Sequence, residues 1–421
     1  MTKNLAPNIA HLQAAKAAAQ QLRSADTGRK NAVLLEAARL LDQRKGQVLA
    51  ANAEDLNTLA ADAGDAFRDR LLLDVPRIAQ MVESLGQVAR LEDPVNEEVE
   101  RKTLANGLLV RRLRSPLGVI LMIFESRPNV AVEAFSLAFK AGNVIILRGG
   151  KESMRTTAVL YDILGDALES QGFDRAALWG ITDPDRKLTE FLLEQASYID
   201  IVVPRGGDAL IKFVVDHARM PIIKNDRGLC HVYVHEDADQ PMAVKIIANA
   251  KCQRPGVCNS LETVLVNRRI SRDFLTRLHE RLAASKVEWF GDAESVQLLK
   301  GQSDVHAATT TSFDTEYLDL KMNCRVVGSL DEAIAHIEKH GSRHSESIIT
   351  KTEAVAREFQ ARIDAAAVYW NASTRFTDGF ELGLGGELGI STQKLHVRGP
   401  VGLRELTNTR WLIDGTGQIR K

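Results

Sequence analysis

Cys258 lies in the stretch Lys251 to Val264, KCQRPGVCNSLETV. A helical run from Met242 to Ala250 breaks at Pro255-Gly256, and Asn259 and Ser260 follow, so the thiol is expected on a loop. Loops carry reactive groups more often than strands or helices do, and an ionised thiol is a strong nucleophile near neutral pH. On these residues alone two readings stand: a nucleophile, or an inert buried thiol. Lys251 and Arg254 lie within a few residues; facing the sulfur they would favour its anion, and otherwise they are exposed or phosphate-pairing cations. The backbone N–H of Cys258 is a candidate donor to an oxyanion. Two further loops, Arg148-Gly149-Gly150-Lys151 and Pro204-Arg205-Gly206-Gly207, join glycines that permit close backbone approach to cations that suit phosphate. Their alternative is an ordinary turn with solvated charge. His336, His340 and His344 resemble a titrating or metal cluster, but their spacing is one face of a helix running into Gly341; the structural reading is preferred and no metal is expected.

These residues need a scaffold. Apolar runs at Val119–Phe124, Val144–Leu147, Ala177–Ile181, Ile199–Val203 and Cys230–Val234 alternate with helical segments at Val130–Lys140, Ser153–Ser170, Arg186–Gln195 and Ala209–His217. Continuously apolar strands joined through helices predict a parallel sheet covered on both faces, and ligands in such sheets sit at the carboxyl ends of strands, where both glycine loops fall. The first ninety residues read as a helical packing layer, with a start at Asp74-Val75-Pro76. Val99–Leu104 and Leu108–Leu113 flank Asn106-Gly107, a hairpin signal. A second α/β segment, from about Gln240 to Val368, contains the Cys258 loop. A Gly-rich stretch, FTDGFELGLGGELGIST, follows; its Gly383-Leu384-Gly385 lacks the register and the preceding strand of a dinucleotide fingerprint. The tail from Trp411 to Arg420 holds Asp414-Gly415 between two short extended runs and predicts another hairpin.

Composition narrows the partners. Lys plus Arg (54) balances Asp plus Glu (55) over 421 residues, so no field of one sign is available for nucleic acid or an anionic membrane, and a small molecule is the expected partner. The longest apolar run, Val119–Phe124, falls short of the ~20 residues that span a bilayer, and the N-terminus has no signal pattern; a cytoplasmic protein is expected. Four cysteines without a C-x-x-C pair suggest reduced thiols.

Seven strings, in order, carry a family resemblance: PLGVILMIFESRPNV from Pro116, AGNVIILRGGKES from Ala141, YIDIVVPRGG from Tyr198, CQRPGVCN from Cys252, AIAHIEKHGSRHSESI from Ala333, VYWNASTRFTDG from Val368 and STQKLHVRGPVGL from Ser391. In these the chain resembles the γ-glutamyl phosphate reductases, a branch of the aldehyde dehydrogenase superfamily. The resemblance implies an α/β fold with a Rossmann-type cofactor domain (1–97 and 115–237), a catalytic domain (238–370), an oligomerisation β flap (98–114 and 393–421), and a Gly-rich return segment of the cofactor domain (371–392). It implies NADPH-dependent reduction of L-glutamyl 5-phosphate to L-glutamate 5-semialdehyde in L-proline biosynthesis, through a thioester on Cys258 rather than Cys252. Lys251 and Arg254 would support the thiolate, and Asn129, offset from the family's side-chain oxyanion donor, is a candidate for that role. Arg148, Gly149, Gly150, Lys151, Pro204, Arg205, Gly206 and Gly207 would bind the cofactor, with Arg148 and Lys151 suiting a 2′-phosphate and Glu316 holding the nicotinamide ribose. Arg127, Asn371, Ser373, Arg375 and Arg398 are the candidate substrate residues. Aldehyde-oxidising relatives carry a glutamate that activates water; Pro221 to His235 has none, and Asp226 beside Asn225 and Gly228 reads as a turn residue, which favours a reductase. A homodimer or tetramer is expected, with glutamate 5-kinase as a candidate partner.

Overall fold

The computed structural model describes residues 6–60, 64–224 and 227–420; Asn225 and Asp226 lie outside them. Two compact units emerge. One comprises the described residues up to 224 with Gly383–Gly389 and 401–420; the other comprises 227–382 with Ile390–Pro400.

The first unit opens with helices α1 (Ala6–Leu22), α2 (Thr27–Gln43), α3 (Lys45–Asn57), α4 (Asp65–Leu71) and α5 (Val75–Arg90). Side chains cap two of them: Asp26 accepts from the Arg29 amide at 2.9 Å and Asp74 from the Arg77 amide at 2.8 Å, with Pro76 in the first turn of α5. Ile78, Met81, Leu85 and Val88 form the buried stripe of α5. Strands β1 (Glu98–Thr103) and β2 (Leu109–Pro116) then pair antiparallel around Asn106-Gly107, with Gly107 at φ +85°. That positive φ is what the turn asks of glycine.

Next come β3 (Val119–Phe124), α6 (Asn129–Lys140), β4 (Val144–Arg148), α7 (Met154–Ser170), β5 (Leu178–Ile181), α8 (Arg186–Leu193), β6 (Ile201–Arg205) and α9 (Asp208–His217). The strands form a parallel sheet in the order β5-β4-β3-β6. Every residue of β3 is buried, as both faces being covered requires.

The expected fifth strand of this sheet belongs elsewhere. β7 (Cys230–Val234) pairs with β8 (Leu261–Asn267) and β12 (Ser345–Ile349) in the second unit, and among the described residues only an isolated bridge, Val202 to Ile222, extends the first sheet beyond β6. An all-apolar strand records that it is buried, not which sheet buries it.

The second unit adds α10 (Gln240–Cys252), α11 (Ser271–Ala283), β9 (Glu288–Gly291), α12 (Ala293–Leu298), β10 (Val305–Ala307), β11 (Lys321–Val327), α13 (Leu330–His340), α14 (Glu353–Arg362) and β13 (Ala367–Trp370). Its seven strands run parallel in the order β10-β9-β11-β8-β7-β12-β13. Alternate residues feed two cores: Val232, Val264 and Val266 pack with Ala243, Ile247, Phe274 and Leu278, while Tyr233, Leu265 and Ile348 pack with Ile334, Ile337 and Phe359. A short antiparallel pair, β14 (Ile390–Ser391) and β15 (Gly399–Pro400), follows. The Gly-rich stretch is therefore divided: residues up to 382 stay with the second unit and Gly383–Gly389 join the first. Finally β16 (Thr407–Asp414) pairs antiparallel with β2, completing the sheet β1-β2-β16. The tail contributes this one strand, not the expected hairpin, because the β2 edge already offers it a partner over eight residues.

Candidate active site

α10 ends at Cys252, and the chain turns through Pro255-Gly256 to bring Cys258 onto a loop ahead of β8. Cys258 is half-buried. Its backbone is gripped from both sides. A Cβ on Gly228 would lie 1.5 Å from the Cys258 carbonyl oxygen, so only glycine allows that approach. The Cys230 thiol, fully buried and held well above its usual pKa by that burial, donates to the same oxygen at 3.2 Å. On the other side, the Asn259 amide donates to the Thr377 carbonyl at 2.8 Å, and the Thr374 hydroxyl donates to the Asn259 carbonyl at 2.7 Å.

The cation brought to this loop is Arg375. Its Nε donates to Gln253 Oε1 at 2.8 Å, and a terminal nitrogen bonds Asn259 Oδ1. Burial pulls the guanidinium below its usual pKa; Asp378 opposes that pull, the nearby Arg254, itself exposed, adds to it, and negative charge at Cys258 opposes it more weakly. Ser373 is buried and accepts from the Arg375 amide at 3.3 Å. Lys251, left by the sequence as either a thiolate support or an exposed or phosphate-pairing cation, is buried and engaged away from the loop. Its fully buried ammonium donates to the Leu261 carbonyl at 2.8 Å and pairs with Glu262 at 3.4 Å. As the penultimate residue of α10, Lys251 points its side chain to the interior that β8 also lines.

Glu316 belongs to the same neighbourhood: its Oε1 accepts the Gly228 N–H at 2.7 Å, so the glycine pressed against Cys258 is also the glycine that holds Glu316. Asn371 and Arg398 are engaged elsewhere. The Asn371 side chain, at φ +54°, accepts from the Thr350 amide at 3.1 Å and donates to its carbonyl at 3.0 Å. Arg398 reaches Asp364 at 2.6 Å and, with Lys394, holds that carboxyl down to about 2. The His336 and His340 rings lie 4.6 Å apart, yet each of the three histidines bonds a different partner. Arg325 donates to His336 at 2.9 Å, and burial drives that imidazole down to about 2; His340 meets Asp314 at 2.8 Å and His344 meets Ser345 at 2.8 Å. Among the described residues, no group of three or more His, Cys, Asp or Glu side chains could hold a metal ion.

In the first unit the glycine loops lie at the carboxyl ends of β4 and β6. Arg148 is half-buried, lowered in pKa by that burial, and donates to the carbonyls of Gly149 (3.1 Å) and Pro184 (3.2 Å). Lys151 is exposed. Gly149 packs on Phe124, and a Cβ on Gly150 would meet Glu152 at 2.5 Å and the Ser126 amide at 3.2 Å. After the buried Pro204, Arg205 pairs with Glu133 at 3.2 Å. Glu125, not singled out by sequence, accepts the Gly207 N–H at 2.9 Å, at the start of α9, and leaves no room for a Cβ on Gly206. A Cβ on Gly207 would meet open space. Asn129 is exposed as the first residue of α6, and Arg127 is half-buried in the turn before it, its amide donating to the Glu125 carbonyl. Crowded glycines and two cations at the strand ends of this sheet form a donor set that fits the phosphates of a dinucleotide.

Comparison with known proteins shows the family. Residues 8–298 match the model of the aldehyde dehydrogenase family. The chain is similar to the γ-glutamyl phosphate reductase of Koribacter versatilis, 46% identical over 409 residues that cover 97% of this chain and 98% of the relative. It is also similar to that of Carboxydothermus hydrogenoformans, 47% identical over 407 residues, 96% and 97% of the two chains. The crystal structure of γ-glutamyl phosphate reductase from Thermotoga maritima superposes with a TM-score of 0.95 at 40% identity, covering 98% of this chain and 99% of the other. The chain belongs to the aldehyde dehydrogenase family, in its γ-glutamyl phosphate reductase branch.

Proposed function

We propose that this protein reduces L-glutamyl 5-phosphate to L-glutamate 5-semialdehyde with release of phosphate, in the cytoplasm and as a step of L-proline biosynthesis. The observation that carries the reading is the Cys258 loop, whose backbone Gly228 and Cys230 grip and whose following residue, Asn259, binds Arg375.

As a thiolate, Cys258 attacks the acyl carbon; the bond to the phosphate oxygen breaks and a thioester forms on the sulfur. Arg375 supports the anionic sulfur, and the Cys258 N–H, with Asn129 as a candidate partner, receives the oxyanion. NADPH, when bound, supplies the hydride that turns the thioester into a hemithioacetal. Collapse of that adduct returns the thiol and releases the aldehyde. Arg148, Gly149, Gly150, Lys151, Pro204, Arg205, Gly206 and Gly207 are the proposed cofactor residues, with Arg148 and Lys151 favouring a 2′-phosphate over a free hydroxyl and Glu316 taking the ribose hydroxyls. Arg127, Arg254 and Arg375 are the cations proposed for the substrate's phosphate and carboxylate. Ser373 acts by supporting Arg375, and Asn371 and Arg398 keep at most indirect roles.

The described residues between Pro221 and His235 include no glutamate to activate water, which suits an enzyme whose thioester must survive until it is reduced. Exposed Trp411 and Ile413 on β16 support a homodimer or tetramer built through the flap. Assay of the reverse reaction tests the function: NADP⁺ reduction with glutamate semialdehyde should require phosphate, and Cys258→Ala should abolish turnover while still binding NADPH. Phosphate-independent oxidation of simple aldehydes would point to a hydrolytic dehydrogenase.

A further inference from the structure

Lys251 and Glu262 are buried ionisable residues that the proposed chemistry does not use; their exposures are 0% and 1%. Their carboxylate–ammonium contact of 3.4 Å is long, and the Lys251 ammonium spends its shorter bond, 2.8 Å, on the Leu261 carbonyl. Replacing a buried ion pair by apolar groups is often neutral or stabilising, so stability is a poor explanation for this one.

Its second contact explains it better. Glu262 Oε2 accepts the backbone N–H of Tyr317 at 3.2 Å. Residues 315–320 belong to no helix or strand, and Leu318 stands at φ +53°. Such a segment has no ladder to place it. The Tyr317 ring stacks on Phe290 at 5.2 Å and its hydroxyl donates to Asn323 at 3.0 Å, so one side of Tyr317 is anchored by its side chain and the other by Glu262. Its neighbour Glu316 is thereby aimed at Gly228, 2.7 Å away, beside Cys258.

We infer that the Lys251–Glu262 pair is a positioning device for Glu316: Glu262 holds the Tyr317 amide so that Glu316 stays beside the Cys258 loop, and Lys251 balances the charge of Glu262 in the interior. The inference rests on Glu316 being a cofactor residue, as proposed above.

The test compares three variants of the full chain by NADPH fluorescence titration, with the alkylation rate of Cys258 as a second reading. In Lys251→Met/Glu262→Gln the amide oxygen still accepts from Tyr317, and NADPH should bind within about twofold of wild type; Lys251→Met/Glu262→Leu removes the acceptor and should weaken binding about tenfold, the worth of roughly one hydrogen bond. Cys258 alkylation should be unchanged in both. Equal NADPH affinity in the two double variants, with Glu316→Ala binding more weakly than wild type, overturns the inference alone. Wild-type affinity in Glu316→Ala overturns the reading of Glu316 and the inference with it. Hydrogen exchange of the wild-type protein covers the case in which the leucine variant does not fold: the Tyr317 amide should exchange slowly, like the core strands, and exchange as fast as an open loop overturns the inference.

Discussion

The glycine loops of the first unit and the thiol loop of the second hold their chemistry in different ways. Around Arg148–Lys151 and Pro204–Gly207 the contacts are local to the sheet: Arg148 bonds the next carbonyl, Gly150 abuts Ser126, and Glu125 meets Gly207 across adjacent strand ends. Around Cys258 they come from far along the chain, from Gly228, Cys230, Arg375, Thr374 and Thr377. A surface that binds a cofactor by its backbone needs room and donors, whereas a nucleophile needs one fixed direction, which takes several elements to impose.

Disrupting the close packing at Cys258 should break this contrast most severely. Gly228→Ala places a methyl where the Cys258 carbonyl sits, and a displacement of about 1 Å at a nucleophile lowers kcat by roughly 10²-fold. The equivalent change at Gly207, where a Cβ meets no protein atom, should leave kcat within about twofold and act instead on KM for NADPH, whose approach to that backbone it narrows. Steady-state kinetics on the two variants make the comparison.

Next in size is a pH effect on stability. Burial pushes the Glu262 carboxyl from 4.5 up to about 7, against the pull of Lys251. Between those values the folded protein keeps a proton that the unfolded chain has lost, so stability falls as pH rises through the window. Glu262→Gln lacks this contribution. The stability of wild type relative to Glu262→Gln should therefore decline by about 1–3 kcal/mol from pH 4.5 to 7, as measured by urea unfolding.

Single cations should matter less, and differently in the two regions. Arg375→Met should raise the apparent pKa for alkylation of Cys258 and lower kcat/KM about tenfold, because it removes the positive charge bound to the thiol loop. Lys151→Ala should raise KM for NADPH about fivefold and leave both kcat and the alkylation profile alone, as loss of one exposed phosphate contact would.

What was legible in the sequence divides along the same line. Pro255-Gly256 announces the break that frees Cys258 from α10, Asn106-Gly107 announces the β1–β2 turn, and the unbroken apolar runs announce a parallel sheet, because each depends on neighbours within a few residues. β7 carries the same apolar signal as β3 and joins the other sheet, since burial on two faces does not name a partner strand. Lys251 is seven residues from Cys258 yet faces Glu262, while Arg375 is more than a hundred away and binds Asn259; sequence distance is a poor guide once a helix end turns the side chain inward. The family resemblance makes Asn371 a candidate for the substrate, and at φ +54° its amide completes the hydrogen bonds of Thr350. Glu125 is the opposite case: its position after a strand gives no sign that it will accept from Gly207.

The smallest effect probes the thiol loop from behind. Cys230 is buried, its thiol protonated because burial and the nearby Glu346 carboxylate both oppose a thiolate, and its hydrogen bonds the Cys258 carbonyl oxygen. A sulfur donor at 3.2 Å makes a weak bond, so Cys230→Ala should lower kcat only about threefold, with KM for NADPH unchanged. Cys230→Ser supplies an O–H to the same acceptor and should recover most of the loss, whereas a purely packing role would favour alanine and serine equally or penalise the more polar serine. If serine is the worse of the two, the Cys258 carbonyl is held by the Gly228 approach alone, and the grip on the nucleophile is steric from that side; if serine recovers the rate, a hydrogen bond shares in aiming the sulfur.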